Sequence, residues 1–84
     1  MKHIFYQTQG TCSQAIDFDL DDEHCVHNVH FLGGCPGNTI GIGKMVEGMK
    51  ASDVICKLKG IPCGTKRTSC PDQLAIALEG AERV

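Results

Sequence analysis

Apolar and polar residues alternate along the first third of the chain, and this alternation predicts a β-sheet. Residues 15–20 are the clearest case, because Ile16, Phe18 and Leu20 fall on one face and two aspartates fall on the other. A period of two residues is typical of a strand with one buried and one solvated side. Short connections between sequential strands favour an antiparallel meander. The predicted strands are residues 3–8, 15–20 and 25–32.

The spacing of apolar residues changes after the loop GGCPGN and predicts helices for the rest of the chain. The next segment, TIGIGKMVEGM, repeats apolar residues at helical spacing, and we expect Asn38 or Thr39 to cap it. Its glycines are expected to allow close packing on the sheet. A second helix is predicted from Ser52 or Asp53 to Leu58, and a third over residues 70–82. The apolar face of the first helix comprises Ile42, Val46 and Met49.

Strands followed by helices indicate an α+β fold. We expect one domain over residues 1–84: a three-stranded antiparallel sheet formed by residues 3–32, then about three helices packed on one face. A chain of 84 residues has a small core. A metal ion, a disulfide or a second subunit would help to stabilise it, so self-association is one expectation.

Charge and hydropathy narrow the class of protein. The net charge is −2, and the eight Lys and Arg residues are spread along the chain, so we do not expect binding to double-stranded nucleic acid. The longest apolar run, residues 74–78, is far short of the ~20 residues that cross a bilayer, and the N-terminus lacks the apolar region of a secretory signal. We therefore expect a soluble cytoplasmic protein without a membrane association. The acidic residues of the first half are expected to form a solvated surface; they are Asp17, Asp19, Asp21, Asp22 and Glu23.

Cysteine is the outstanding feature of the composition, with six residues in 84. In a reducing compartment, thiols serve metal binding or redox chemistry more often than structural disulfides. The last cysteine opens the predicted third helix, where either Ser69 and Asp72 match the S-x-x-[DE] capping box or Cys70 itself is the N-cap with Pro71 at the first helical position. A helix N-terminus and nearby cations favour the thiolate form of a cysteine, which both a metal and a nucleophile require. The six are Cys12, Cys25, Cys35, Cys56, Cys63 and Cys70.

The motifs TSCPDQLA, GIPCGTK and GGCPGN together resemble those of the TSCPD domain family. This family includes small stand-alone proteins and a C-terminal domain of adenosylcobalamin-dependent ribonucleotide reductases. The resemblance implies an accessory or binding module, with a ribonucleotide reductase as a partner and a link to DNA synthesis. A chain of this length is too short to be a complete reductase, so enzymatic activity stays open. The four cysteines of the family pattern correspond here to Cys12, Cys35, Cys63 and Cys70.

Three hypotheses follow for the four-cysteine set. Four thiolates suit a structural zinc ion, although even the tightest pair, Cys63 and Cys70, lacks the C-x₂₋₄-C spacing of zinc fingers. Thiol redox chemistry by that pair, or by Cys12 and Cys35, is the alternative, although a C-x-x-C motif is absent. A phosphate- or nucleotide-binding module is the third hypothesis, since glycine-rich loops precede two helices. The cations near those loops are Lys44, Lys66 and Arg67.

The remaining cysteines and the histidines have simpler interpretations. Cys25 and Cys56 are interpreted as buried small hydrophobic residues, with Cys56 on the inner side of its helix. Strand alternation predicts that His27 and His30 point to opposite faces, which argues against a histidine metal site in that strand. We expect solvent-facing histidines on the sheet; the chain has His3, His24, His27 and His30.

Overall fold

The computed structural model describes residues 1–8, 10, 13–33, 36–61 and 68–82. Within these ranges a three-stranded antiparallel sheet is followed by three helices, which confirms the predicted α+β fold. No helix among the described residues is both long and apolar enough to span a membrane. In chain order the elements are β1 (Lys2–Gln7), β2 (Ser13–Leu20), β3 (Val26–Gly33), α1 (Pro36–Val46), α2 (Ala51–Leu58) and α3 (Cys70–Glu82).

The central strand of the sheet is β2, which pairs with β1 on one side and β3 on the other. Its alternation was predicted correctly: Ile16 and Phe18 are fully buried and Leu20 nearly so. These side chains form one core with apolar residues of the helices, among them Leu74 and Leu78 of α3. The helices therefore lie on the apolar face of the sheet, and the aspartates of β2 face away from the core.

Helix α1 lies close against β3. A Cβ atom built on Gly43 would approach the backbone oxygen of Val29 to 3.1 Å, so this glycine permits the close approach that was expected of it. The expected apolar face is also confirmed, because Val46 is buried while Ile42 and Met49 pack against the core. Helix α2 packs instead on α3.

Strand β3 contains an irregularity that the sequence pattern did not reveal. Asn28 adopts a positive φ of 56°, and the pairing with β2 shifts there. As a result Asp19 lies opposite His27 and Asp17 opposite His30. Residues two apart on a strand share a face, so both histidines lie on the outer face of the sheet. The prediction that they point to opposite faces is wrong. The extra residue of β3 between them shifts the alternation by one position and puts His30 on the same face as His27.

The beginning of α1 also differs from the prediction. The helix starts at Pro36, so Asn38 and Thr39 lie inside its first turns and do not cap it. Proline is well suited to the first helical position, because its missing N–H would have no partner within the helix. Helix α2 likewise begins earlier than predicted, at Ala51, and the third helix begins and ends at the predicted residues.

Cys56 is exposed, which corrects its predicted place on the inner side of α2. This helix buries Ala51 and Val54, which are three positions apart and share a face. Cys56 follows Val54 by two residues, about 200° around the helix axis, and so lies on the opposite side.

Candidate functional site

The stretch TSCPD forms the start of α3, and its serine caps the helix. The Ser69 hydroxyl accepts a 3.2 Å hydrogen bond from the Asp72 backbone N–H. The Ser69 carbonyl accepts the first helical bond, 2.8 Å from the Gln73 nitrogen. This confirms the predicted capping role of Ser69. Cys70 is then the first residue of α3 and is half-buried.

Asp72 ties the beginning of α3 to the end of α2. Its buried carboxylate accepts a 2.6 Å hydrogen bond from the Gly60 backbone N–H and another from the Thr68 hydroxyl. Gln73 adds a 2.9 Å bond from its side-chain amide to the same hydroxyl. A carboxylate that receives donors from two segments fixes their relative position. The sequence analysis gave Asp72 a capping role and missed its link to the end of α2. The presence of this aspartate in the TSCPD motif was the one indication of a further role.

Three of the four cysteines in the proposed set lie outside the described residues: Cys12, Cys35 and Cys63. Lys66 and Arg67 lie outside them as well. The described residues that flank these segments do meet, however. Ser13, which follows Cys12, pairs with Gly33, two residues before Cys35.

A second contact brings the β1–β2 connection to the start of α3. Gly10 has a positive φ of 75°, and a Cβ atom built on it would lie 3.1 Å from the Thr68 side chain. Gly10 and Thr68 each stand two residues from a cysteine of the set, Cys12 and Cys70 respectively. The N-terminus of α3 therefore lies near Gly10, at the end of the sheet where Ser13 pairs with Gly33.

Among the described residues, no group of three or more His, Cys, Asp or Glu side chains is arranged to hold a metal ion. Lys44, a cation of the anion-binding hypothesis, lies exposed in the last turn of α1. It borders an open groove of about 360 Å³ together with His30 of β3, Ile40 of α1 and Glu47, which directly follows α1. With Lys66 and Arg67 outside the described residues, anion binding stays a prediction.

The outer face of the sheet carries a network of histidines and carboxylates. His3 and His30 face solvent on the sheet as expected, whereas His27 is half-buried and His24 lies in the β2–β3 turn. The acidic partners of all four histidines were missed. His3 Nδ1 lies 2.7 Å from Asp19 Oδ1, and His30 Nδ1 lies 3.2 Å from Asp17 Oδ1. His24 pairs with Glu82 at the end of α3. The predicted solvated acidic surface thus largely consists of carboxylates in contact with histidines, a feature that the His and Asp residues of neighbouring strands could have indicated.

His27 contacts two carboxylates at once. Its Nε2 lies 2.8 Å from Asp21 Oδ2, and its Nδ1 lies 2.6 Å from Glu47 Oε2. The hydrogen bonds to Asp21 and then to Glu47 raise the pKa of His27 above its ordinary value.

The carboxylates around His27 respond in the opposite direction. The Cys25 backbone N–H, and next His27 itself, lower the pKa of Asp21. The Asn28 backbone N–H, followed by His27, lowers that of Glu47. The Asn28 side-chain amide, then His3, lowers the pKa of Asp19. All three carboxylates are therefore stabilised as anions.

The two cysteines outside the family pattern differ in their surroundings. Burial, followed by the charges of Asp21 and Glu23, raises the pKa of the half-buried Cys25 thiol. A raised pKa disfavours the reactive thiolate. Cys25 thus fits its interpretation as a packed thiol, whereas Cys56 is exposed at the surface.

Comparison with known proteins gives one match. A sequence model of the TSCPD domain matches residues 2–82, which is nearly the whole chain. No curated protein and no solved structure matches the chain.

Proposed function

The chain belongs to the TSCPD domain family, and from this membership we propose that it is a small accessory module built around a four-cysteine site. The four proposed ligands are those of the family pattern, Cys12, Cys35, Cys63 and Cys70. The observation that carries the proposal is the meeting of their flanking residues at one end of the fold. Ser13 pairs with Gly33, and Gly10 contacts Thr68.

Chain connectivity gives this observation its weight. Partner residues of an antiparallel pair lie about 5 Å apart, and each further residue adds at most ~3.8 Å. Cys12 stands two residues after Gly10 and directly precedes the paired Ser13, so two of the anchoring contacts flank it in the sequence. Cys63 stands in the sequence between Gly60 and Thr68, both of which donate to Asp72. The anchors of all four cysteines thus favour a common site.

Zinc is the metal that suits four cysteine ligands. Soft thiolate donors prefer zinc or iron–sulfur clusters over magnesium or calcium, and a Cys₄ set is typical of structural zinc. Such an ion would connect the end of the sheet with the starts of α1 and α3. We propose a structural role: the metal adds a cross-link that a core of this size benefits from.

The proposed partner is a ribonucleotide reductase. The support is the resemblance of the family motifs to the C-terminal domain of adenosylcobalamin-dependent ribonucleotide reductases. In this proposal the chain binds such an enzyme as an accessory module. Co-purification with a tagged reductase, with and without chelator, tests the partner separately from the metal.

The metal site is tested by elemental analysis and thiol counting on the purified chain and on single Cys→Ser variants. About one zinc per chain is expected, with four thiols protected until chelation. Replacing any of the four pattern cysteines should abolish stoichiometric zinc. Cys56→Ser is the matched control and should keep the metal, because Cys56 is exposed and outside the pattern.

The same experiment decides between the metal site and thiol redox chemistry. Protein without metal, in which two thiols oxidise and reduce reversibly, would replace the zinc proposal by the redox alternative, with Cys63 and Cys70 as the first pair to test. Equal zinc loss in Cys56→Ser and Cys70→Ser would contradict the assignment of the site to the family pattern.

A further inference from the structure

His27 contacts carboxylates from two segments that lie 26 positions apart in the chain. Asp21 lies at the start of the β2–β3 turn, and Glu47 directly follows α1. The ring touches both carboxylates, at 2.8 Å through Nε2 and 2.6 Å through Nδ1. His27 is not part of the proposed four-cysteine site.

Both ring nitrogens face acceptors, and this fixes the protonation state of the arrangement. An ionised carboxylate only accepts hydrogen bonds. A neutral imidazole carries one N–H and one lone pair, so it can donate to one carboxylate and must turn a lone pair toward the other. Only the charged ring can satisfy Asp21 and Glu47 together.

We propose that His27 is a pH-dependent latch, which fastens the Glu47 side chain, directly after α1, to β3 while its ring is charged and releases that side chain when the ring becomes neutral. The backbone hydrogen bonds that Val26 makes with Gly48 and Met49, at 2.7 and 2.8 Å, hold the main chain in place in both states. The raised pKa of His27 agrees with this geometry and sets the release above pH 6.5.

The geometry also indicates which contact breaks. Asp21 is held in its turn by the backbone N–H groups of Glu23 and Cys25, each at 2.9 Å. Glu47 has a side chain that is 48% exposed, and it receives a 2.9 Å bond from the Asn28 backbone N–H. Because Asp21 is held in place, it should keep its hydrogen bond from His27, so the neutral ring retains the proton on Nε2. Nδ1 then presents a lone pair to Glu47, which turns into solvent.

Other charged groups surround the latch. Among the described residues, Asp19 of β2 also acts on the ring through its charge, and His3 is bonded to Asp19. Glu23 lies in the turn beside Asp21. Lys44 borders the same groove as Glu47, and Lys50 lies near Cys25. Asp21 and Glu47, which contact the ring, favour its charged form.

The test is a pH titration of the full chain by NMR, with the histidine ring nitrogens and the backbone amides observed together. Both His27 nitrogens should carry protons up to pH 6.5. Above the titration midpoint, Nε2 should keep its proton and Nδ1 should lose its own. The protection of the Asn28 amide, relative to the intrinsic exchange rate at each pH, should fall as its bond to Glu47 is lost. The wild-type chain suffices for this measurement, so it does not depend on the folding of a variant.

Two variants distinguish the specific effect of Glu47 on His27 from the effect of removing any one carboxylate near a histidine. Glu47→Gln removes one charge without changing size, and it should shift the His27 midpoint downward and abolish the pH step at Asn28. Asp17→Asn makes the equivalent change at the His30 pair and should leave both intact. Retention of Nδ1–H in neutral His27, pH-independent protection of the Asn28 amide, or equal effects of the two variants would overturn the proposal.

Discussion

At the scale of single residues, Asp72 is the side chain whose removal should be most informative. Its buried carboxylate accepts hydrogen bonds from Gly60 and Thr68, and so joins α2 to α3. In Asp72→Asn the new amide group brings donors to a place where two donors already converge. We expect a loss of about 1–3 kcal/mol in the free energy of unfolding, measured by urea denaturation.

Asp22→Asn is the control for this substitution. Asp22 lies exposed in the β2–β3 turn, and the same chemical change there should alter stability by less than about 0.5 kcal/mol. Equal effects of the two substitutions would mean that the Asp72 contacts do not join the helices.

The second prediction at this scale concerns pH. The pKa of His27 is raised above 6.5, so its contribution to stability is complete below pH 6.5 and is lost as the pH rises through the folded value. The pKa values of Asp19, Asp21 and Glu47 are lowered from 3.8, 3.8 and 4.5. Their contributions are complete above pH 4.5 and are lost as the pH falls through the lowered values.

The difference in unfolding free energy between wild type and His27→Gln isolates the histidine. It should be largest and level between about pH 4.5 and 6.5 and should shrink at higher pH. His30→Gln serves as the control on the same face of the sheet. A difference for His27→Gln that grows above pH 6.5 would reverse the sign of the argument.

The histidine network also shows where sequence reasoning stops at this scale. Alternation located the strands, but a single residue, Asn28, takes a left-handed conformation and shifts the pairing of β3. One extra residue inverts the face of every residue beyond it. The pairing of His27 with Asp19 and of His30 with Asp17 therefore depended on a backbone angle that periodicity does not encode.

At the scale of elements, the contact between α1 and β3 gives the third prediction. In Gly43→Ala the new Cβ would lie 3.1 Å from the Val29 backbone oxygen, which the sheet holds in place. The helix must move away or the strand must distort, which should outweigh the gain in helix propensity. We expect a net loss of about 1 kcal/mol in urea denaturation.

Gly41 provides a matched position in the same helix. A Cβ there would meet no atom of the described residues within 4 Å. Gly41→Ala should therefore stabilise the chain by about 0.5–1 kcal/mol through helix propensity alone. If Gly43→Ala were as stabilising as Gly41→Ala, α1 would not be packed tightly on the strand.

The strands and helices that are determined by local sequence were predicted well, and those that depend on tertiary packing were predicted less well. Strict alternation in β2 and the Ser69 cap of α3 are local signals, and both elements follow them. The start of α1 was missed because Pro36 was interpreted as part of a loop, although it is also a good first helical residue. Cys56 was misplaced because the face of a short helix depends on what packs beside it, and α2 packs on α3.

At the scale of the whole molecule, the sequence motifs can group the four cysteines, but they cannot show whether these residues meet in space. The motifs predict which cysteines belong together, and the match over residues 2–82 confirms the family alone. The proposed common site rests on tertiary contacts between Gly10 and Thr68 and between Ser13 and Gly33. Such contacts join residues far apart in the chain, and no local pattern specifies them.

The size of the core leads to the last prediction. A chain of 84 residues has a typical unfolding free energy of about 4–13 kcal/mol, so one core side chain is a large fraction of it. Leu78 of α3 is 0% exposed and contacts the core, and Leu78→Ala leaves a cavity that should cost about 2–5 kcal/mol. Metal-free protein with this substitution should unfold at a clearly lower temperature than the metal-free wild type.

Leu32→Ala is the same chemical change on the opposite, outer face of the sheet. Leu32 is 59% exposed, so its truncation should cost less than about 1 kcal/mol. If the four cysteines bind zinc, a ligand that binds only the folded chain adds stability that grows with its free concentration. Added zinc should then raise the unfolding temperature of Leu78→Ala, measured by circular dichroism. The unfolding temperature of Leu78→Ala combined with Cys70→Ser should not respond to zinc.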